Sequence, residues 1–259
     1  MYGIDGAGRR PTSILSGQVA FVTGAGQGLG HAIALGLAQA GAHVVLTDIT
    51  IGLDAAADRV RVPGQDCLAL SLDVRDEAAF TDTFAQALAY FGRVDVMVNN
   101  AARTPATSIW DITADEWDDV MAINLRGVFF GCRIAGRHMR ERRAGRIINL
   151  ASVAGQQAST ATGAHYGASK AAILALTRSF AQELAPHGVT VNALAPAAIR
   201  SELLDAMDPD QQSRLAAGIP LGRFGLPQEV AAAAVYLASP LAAYTTGATL
   251  DLNGGRLMR

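Results

Sequence analysis

Short apolar runs of strand length alternate along this chain of 259 residues with longer segments of helical periodicity. The apolar runs predict strands at Val19–Thr23, His43–Thr47, Cys67–Leu72, Val94–Asn99, Arg146–Ala151, Val189–Ala195 and Thr249–Leu252. The segments between them predict helices at His31–Gln39, Asp54–Val60, Asp76–Phe91, Ala114–Arg142, Gly163–Leu184 and Pro227–Leu237. Apolar strands that alternate with helices are typical of a parallel sheet buried on both faces. The pattern therefore predicts an α/β fold, a single doubly wound parallel sheet with helices on both faces.

The same pattern predicts one domain over residues 16–259, since no repeat or linker-like composition divides it. Residues 1–15 contain Gly, Arg and Pro without the apolar run of a signal peptide, and we predict that they form a short mobile arm. The segment Ile199–Leu221 is long for a connection. Such a segment is either a lid over a site or a simple surface excursion.

Composition narrows the class of function. Half of the residues are apolar and 17% are charged, which is typical of an ordered globular protein. A net charge of −2 gives no basic footprint for nucleic acid or anionic lipid. No uncharged apolar run reaches the roughly 18 residues of a membrane helix. Cys67 and Cys132 lie far apart and no metal-ligand motif occurs, so we expect a cytoplasmic protein without a disulfide or metal.

A glycine-rich turn, Thr23–Gly30, lies between the first predicted strand and the first predicted helix. Glycines there let a pyrophosphate approach the backbone closely, and the helix N-terminus favours its negative charge. The position favours a Rossmann-type dinucleotide site over a plain connection. Asp48 ends the second strand, where a carboxylate accepts hydrogen bonds from the adenosine ribose and repels a 2′-phosphate. No Arg or Lys stands at Gln27 or Ile49 to offset that repulsion, so NAD is the predicted cofactor.

Tyr166 is followed four residues later by Lys170, which places both side chains on one helix face. An ammonium about 4–5 Å from a phenol stabilises the phenolate by roughly 4 kcal/mol at an effective dielectric near 20. The spacing therefore predicts a tyrosine whose pKa is lowered from roughly 10 toward 7, where it exchanges protons at working pH. An isolated pair at this spacing also arises by chance, and Ser152 after a strand and the glycine turn favour the catalytic interpretation.

Together these residues resemble the short-chain dehydrogenase/reductase family, from about Ser16 to the C-terminus. The resemblance implies a catalytic tetrad of Asn124, Ser152, Tyr166 and Lys170. It also implies cofactor contacts from a larger set: Gly24, Gln27, Gly28, Leu29, Gly30, Asp48, Asp73, Val74, Asn100, Ala101, Tyr166, Lys170, Pro196, Ile199 and Ser201. The substrate pocket is expected to draw on Ser152, Tyr166, Ala154, His165 and Ala197. A polar stretch made of Gln156, Gln157, Ser159, Thr160 and Thr162 weakly favours a hydroxylated substrate.

The resemblance assigns a role to each member of the tetrad. Tyr166 would take the hydroxyl proton while a hydride passes to the nicotinamide, and Ser152 would hold the substrate oxygen. Lys170 would lower the pKa of Tyr166 and bind the nicotinamide ribose. Asn124 would interrupt its helix and anchor a water that relays the proton.

These expectations lead to three candidate functions. The main hypothesis is an NAD-dependent dehydrogenase that interconverts a secondary alcohol and a ketone, with a polyol, sugar or related small hydroxylated substrate. The alternative is a 3-oxoacyl-thioester reductase, although such enzymes normally prefer NADPH, which sits poorly with Asp48. Outside enzymes, the chain could be a non-catalytic NAD-binding module.

Two predicted helical stretches, Glu116–Met139 and Ala168–Ala181, carry apolar residues on nearly all faces. One face of each can cover the sheet, so another face needs a further partner. In the family these helices pair between subunits, commonly in tetramers. We therefore expect a homotetramer or homodimer.

Overall fold

The computed structural model describes residues 13–159 and 161–258. Most of the arm predicted for residues 1–15 lies outside these ranges. Leu15, at its end, is fully buried, and its N–H donates to the carbonyl of Ala40 over 2.9 Å. The packed part of the chain therefore includes Leu15. Within the described ranges, no helix is long and apolar enough to span a membrane.

Seven parallel strands form one sheet in the order β3-β2-β1-β4-β5-β6-β7. They are β1 (Val19–Thr23), β2 (His43–Asp48), β3 (Cys67–Ser71), β4 (Val96–Asn99), β5 (Gly145–Leu150), β6 (Val189–Pro196) and β7 (Thr249–Leu252). The chain order reverses between β1 and β4, and ligands bind in the crevice at the carboxyl ends of the strands at such a point. The predicted doubly wound Rossmann-type sheet is confirmed.

The helices that cover the sheet agree with the sequence pattern except in two places. They are α1 (Gly28–Gln39), α2 (Leu53–Val60), α3 (Glu77–Phe91), α4 (Ala114–Met121), α5 (Gly127–Arg142), α6 (Ala164–Leu184), α7 (Glu202–Asp205), α8 (Pro209–Ala217) and α9 (Pro227–Ala238). The single helix predicted over Ala114–Arg142 is wrong in one respect, because a π-helical turn at Ala122–Arg126 divides it. The segment Ile199–Leu221 contains two helices, each beginning at a polar N-cap, Ser201 for α7 and Asp208 for α8.

The core lies in two layers, one on each face of the sheet. On one face Phe21 of β1 packs against Phe80 and Phe84 of α3, with ring centroids 6.1 and 5.7 Å apart. On the other face, Ile33 and Leu37 of α1 pack with residues of β2 and α9. Both layers fix the strand ends from which the functional loops leave.

Candidate active site

A cavity of about 870 Å³ follows the carboxyl ends of the strands. Most of the residues implicated by the sequence line it: Gly24, Gln27, Leu29, Gly30, Asp48, Asp73, Val74, Asn100, Ala101, Ser152, Tyr166, Lys170, Pro196, Ala197, Ile199 and Ser201. Residues separated by more than 170 positions in the chain therefore share one crevice. The wall is continuous from the glycine turn to the Tyr166 side chain.

The glycine turn has no room for larger residues at two positions. A Cβ on Gly30 would lie 2.2 Å from the carbonyl oxygen of Gly24 and 2.4 Å from Nδ2 of Asn100. Gly24 has φ +62°, and a Cβ there would lie 2.7 Å from the Cα of Ala101. The turn thus brings bare backbone to the N-terminus of α1, whose free N–H groups attract anions. This cradle fits the pyrophosphate of a dinucleotide.

Asn100 holds the turn in shape from the next strand. Its Nδ2 donates to the carbonyls of Thr23 and Gly24 over 3.0 and 2.9 Å. In return the Thr23 hydroxyl accepts from the N–H groups of Asn100 and Ala101 over 3.0 and 3.1 Å. The side chain of Asn100 therefore shapes the cofactor turn, which is a role that the motif alone does not reveal.

The Asp48 carboxylate is oriented at the edge of the cavity by its own loop. One oxygen accepts from the N–H of Gly26 over 2.9 Å, and the other accepts from the hydroxyl of Thr50 over 2.8 Å. Ile49 and Thr50, which follow it along the wall, carry no charge. The site therefore presents a negative group where an adenosine ribose would lie.

On the neighbouring wall, Asp73 is paired with Arg75, and the guanidinium of Arg75 holds the pKa of that carboxyl below its usual range. Arg75 also contacts Asp119 of α4 over 2.8 Å, and Asp119 in turn binds Arg103 over 2.5 Å. This chain of ion pairs stiffens the rim, and sequence reasoning missed it because its members are far apart in the chain.

The side chains of Ser152, Tyr166 and Lys170 meet on the floor of the cavity. Ser152 lies two residues beyond the end of β5 and is almost fully buried, with its Oγ 3.5 Å from the carbonyl oxygen of Pro196. The side chains of Ser152 and Thr104 lie near enough to the phenol of Tyr166 to favour its phenolate form and so lower its pKa. Thr104 carries no motif in the sequence and reaches the phenol only through the path of the loop after β4. The hydroxyl groups of Ser152, Thr104 and Tyr166 therefore lie together on the floor of the cavity.

The surroundings of Lys170 differ from those expected for a group that lowers the pKa of Tyr166. Its Nζ donates to the carbonyl of Leu150 over 2.6 Å and lies 5.5 Å from the centroid of the Tyr166 ring. Burial lowers the pKa of Lys170 to about 8. Burial also raises the pKa of Tyr166, although the Ser152 and Thr104 hydroxyls oppose that rise. The net shift of the Tyr166 pKa is therefore upward and not downward as predicted, because burial disfavours the phenolate more than the neighbouring groups stabilise it.

Asn124 lies within the π-helical turn and is fully buried. Its Oδ1 accepts from the N–H of Arg103 over 2.8 Å, and its Nδ2 donates to the carbonyl of Arg103 over 2.9 Å and to Ser169 Oγ over 3.2 Å. The helix is interrupted where the resemblance implies, and the side chain fastens the loop after β4.

Four predicted site residues do not line the cavity that the described residues enclose: Gly28, Asn124, Ala154 and His165. Gly28 is exposed at the start of α1. Ala154 is buried behind Ser152, to whose Oγ its N–H donates over 3.1 Å. His165 is fully buried and faces Glu116 of α4. The expected contacts of Ala154 and His165 with substrate are therefore not present in the cavity wall.

Known proteins resemble this chain in sequence and in fold. A family profile described as enoyl-(acyl carrier protein) reductase matches residues 24–256. The chain is 39% identical to the 3-oxoacyl-[acyl-carrier-protein] reductase FabG of Vibrio harveyi, over 94% of this chain and 99% of that protein. It is 39% identical to the protein of the same name from Escherichia coli K12, over 93% of this chain and 98% of that protein.

A crystal structure described as a short-chain alcohol dehydrogenase from Sinorhizobium meliloti 1021 superposes with a TM-score of 0.87. It shares 38% identity and covers 93% of this chain and 97% of its own. The matches in sequence and in fold lead to one conclusion. The chain belongs to the short-chain dehydrogenase/reductase family and is an oxidoreductase of that family.

Proposed function

We propose that this enzyme reduces a 3-oxoacyl thioester to the 3-hydroxyacyl thioester with NADH. The observation that carries the reductive direction is Tyr166 itself. Its phenol is buried, burial raises its pKa, and Ser152 and Thr104 line the cavity beside it. A phenol that keeps its proton is suited to giving it to an alkoxide, which is the reductive direction.

Ser152, Tyr166 and Lys170 have different roles at the ketone oxygen of the substrate. The Ser152 hydroxyl and the Tyr166 phenol donate hydrogen bonds to the ketone oxygen as negative charge develops on it. Tyr166 then gives its proton to that oxygen, and the buried Lys170 ammonium stabilises the phenolate that remains. The dinucleotide, when bound, supplies the hydride. Ketone, NADH and one proton thus yield a secondary alcohol and NAD.

The substrate class rests on the comparisons and on the cavity wall. Relatives named as 3-oxoacyl-[acyl-carrier-protein] reductases match over more than 90% of this chain, and they favour the alternative over the polyol hypothesis. The polar stretch that favoured a hydroxylated substrate does not support it, because Gln156, Gln157, Ser159 and Thr162 are absent from the described cavity lining. Gln156 instead donates to Asp251 over 2.7 Å.

The assay uses acetoacetyl-CoA as the probe and follows absorbance at 340 nm. We expect NADH oxidation with acetoacetyl-CoA and at least about hundredfold lower kcat/KM for a panel of sugar alcohols with NAD in the reverse assay. Turnover of a polyol alone would restore the dehydrogenase hypothesis. Binding of NADH without turnover of either class would favour the non-catalytic module.

The choice of NAD rests on Asp48. A ribose hydroxyl that bonds to this carboxylate contributes roughly 1.5–3 kcal/mol, and a 2′-phosphate replaces that bond with repulsion of similar size. The sum of about 3–5 kcal/mol corresponds to a hundredfold to few-thousandfold preference for NADH in kcat/KM. Replacing Asp48→Ser together with Ile49→Arg should narrow or reverse that ratio. Equal use of NADPH by the unchanged enzyme would show that Asp48 does not select the cofactor.

We further infer that the enzyme works as a homotetramer or homodimer. An apolar groove runs along the outer faces of α4, α5 and α6, and its walls include Met121, Leu125, Phe129, Ala172 and Leu176. The first three lie on or beside the π-helical turn, and the last two lie on the helix that carries Tyr166. Pairing of two such faces would cover these side chains, and it would also restrain α6, which carries Tyr166.

A further inference from the structure

Four polar side chains lie in the core on the elements that carry the reacting groups and on their neighbours, although the proposed reaction does not use them. Asn99 ends β4, Cys132 is on α5, Asn149 is on β5 and Thr177 is on α6. None of these four residues is more than 3% exposed. Burial of polar groups is costly unless they bind one another, so this core polar cluster calls for an explanation.

Asn149 is the centre of the core polar cluster. Its Oδ1 accepts from Nδ2 of Asn99 over 2.8 Å and from Sγ of Cys132 over 3.4 Å. Its Nδ2 donates to the hydroxyl of Thr177 over 3.0 Å. That hydroxyl donates in turn to the carbonyl of Ile173, one turn earlier on α6, over 2.8 Å. The amide of Asn149 therefore joins two strands and two helices through oriented hydrogen bonds.

The packing around the cluster is tight. Asn99 and Asn149 are direct neighbours in the register of β4 and β5, so their side chains share one face of the sheet. A Cβ on Gly131 of α5 would overlap Oδ1 of Asn99, so only glycine fits at that position. This oxygen has no hydrogen-bond partner among the described residues, which is a cost that apolar side chains would avoid. The cluster is therefore held in one arrangement by its neighbours, and it cannot shift without moving a strand or α5.

The cluster and Lys170 bind α6 to adjacent points of β5. Thr177 lies seven residues after Lys170, which places both side chains on one face of α6. Lys170 donates to the carbonyl of Leu150 over 2.6 Å, and Leu150 directly follows Asn149. Two successive residues of β5 thus hold two points of α6 that are two helical turns apart. Together these contacts fix both the height and the rotation of α6 against β5.

The separation of the reacting hydroxyl groups depends on this register. Ser152 lies two residues after Leu150, and Tyr166 lies one turn before Lys170. Each hydroxyl is therefore carried by one of the two elements that the cluster joins. Misplacement of a catalytic group by about 1 Å can lower a rate by about a hundredfold.

We propose that Asn149 is a positioning residue, which fixes the register of α6 against β5 through Thr177 and so sets the separation of Ser152 from Tyr166. Asn149 lies in the core, outside the described lining of the active-site cavity, and acts through Thr177 alone. This inference deepens the proposed function and rests on it for its kinetic readout.

The kinetic test replaces Asn149→Leu, which removes the amide and keeps a side chain of similar size. With acetoacetyl-CoA as the probe, we expect kcat to fall at least about thirtyfold, because the proton donor and Ser152 no longer meet at one oxygen atom. The substrate KM should change less than about threefold, since the cluster does not hold the loops that line the cavity.

Asn192→Leu is the matched control. Asn192 is a buried asparagine on the neighbouring strand β6, and its side chain bonds to the backbone of Thr245 and Ala248 over 2.8 and 3.0 Å. It pairs in the register with Ile148, one residue before Asn149, so its side chain lies on the opposite face of the sheet. The control loses a comparable set of buried hydrogen bonds, and its kcat should stay within about threefold of the unchanged enzyme.

Thr177 supplies a second pair of variants, which keeps the proposal testable if Asn149→Leu does not fold. Thr177→Val removes the hydroxyl and keeps the shape of the side chain, whereas Thr177→Ser keeps the hydroxyl. We expect kcat of the Val variant to be at least about tenfold below that of the Ser variant. The Ser variant should retain kcat within about threefold of the unchanged enzyme.

Amide hydrogen exchange tests the register without a substrate. In Asn149→Leu and Thr177→Val the backbone amides of residues 164–177 should exchange at least about tenfold faster, because α6 is no longer held against β5. In Asn192→Leu these amides should keep their protection, and faster exchange should appear at residues 245–248.

The two measurements fail in different ways. Equal kcat in Asn149→Leu and Asn192→Leu, or in Thr177→Val and Thr177→Ser, would overturn the positioning role. Unchanged exchange of residues 164–177 in both Asn149→Leu and Thr177→Val would overturn it whatever the substrate is. If the unchanged enzyme does not turn over acetoacetyl-CoA but the variants show the expected exchange, the proposed function is contradicted and the role of Asn149 in the register is supported.

Discussion

At the scale of single residues, the site depends on charges and protons held out of water. Ser152, Tyr166, Lys170 and Asp48 could be located from the sequence because each lies at a fixed offset from a strand end or a helix turn. Their protonation could not be predicted in the same way. Spacing places Lys170 near Tyr166, but the pKa of each depends on burial and on the Leu150 carbonyl, which only the folded chain brings together.

Lys170 carries a cost to stability that can be measured. Burial lowers its pKa in the folded state to about 8, from 10.5 in an exposed lysine. Below pH 8 the folded state therefore holds a charge that the interior disfavours by about 3 kcal/mol. Between pH 8 and 10.5 the folded state releases this proton first, so the penalty disappears as pH rises. Lys170→Met should be about 1–3 kcal/mol more stable at pH 7, with the difference shrinking by pH 10.

Urea unfolding of both proteins, without cofactor and at equal concentration, measures this difference. The variant should also lose turnover, since it has no ammonium to support the phenolate. A Lys170→Met protein that is less stable than the unchanged enzyme at pH 7, by an amount independent of pH, would contradict the assigned burial cost.

Tyr166 is the group whose loss should affect chemistry alone. Tyr166→Phe removes the proton donor and leaves the ring, so we expect turnover with acetoacetyl-CoA to fall about a thousandfold or more. NADH affinity, measured by fluorescence titration, should change little because the turn at Gly24–Gly30 is untouched. Turnover within tenfold of the unchanged enzyme would refute the role of Tyr166.

At the scale of elements, every strand and most helix ends could be predicted from the sequence. A short, continuous apolar run between helical segments fits few structures other than a strand of a buried parallel sheet. The helical periodicity alone could not predict the π-helical turn at Ala122–Arg126, whereas the family resemblance implied an interruption at Asn124. The helical periodicity continues through that turn, and the break serves a side chain, Asn124, whose partners lie in another loop. The helices α7 and α8 were missed because they lie in the segment Ile199–Leu221, where Pro209, Gly218 and Pro220 indicated an irregular connection.

The turn between β1 and α1 offers a matched pair of glycine variants. A Cβ at Gly30 meets the Gly24 carbonyl at 2.2 Å, so Gly30→Ala must displace the turn or α1. At Gly28 a Cβ meets nothing within 4 Å, and Gly28→Ala has only the strain of φ +58°, about 1–2 kcal/mol. We expect NADH affinity to fall at least about a hundredfold in Gly30→Ala and less than tenfold in Gly28→Ala. Equal affinities in the two variants would show that the turn does not hold the cofactor.

At the scale of the whole molecule, the active site and the proposed subunit interface share the same elements. The π-helical turn presents Asn124 inward to the loop at Arg103, while Leu125, the next residue, faces the apolar groove. On α6, Tyr166 and Lys170 line the cavity and Leu176 lines the groove. Pairing of subunits through the groove would therefore restrain the helices that position the reacting groups.

The assembly gives the last prediction. Burial of a Leu or Phe side chain contributes about 1.5–3 kcal/mol, and in a twofold interface each substitution is present twice. Leu176→Arg should therefore weaken pairing by several kcal/mol and shift a dimer or tetramer toward smaller species at micromolar concentration. Light scattering after size exclusion measures the mass.

Arg178→Glu, exposed on the same helix, is the matched control and should leave the mass unchanged. If subunit contacts support the site, kcat of Leu176→Arg should recover with rising protein concentration. An unchanged enzyme that is a fully active monomer at micromolar concentration would show that the groove serves no such contact.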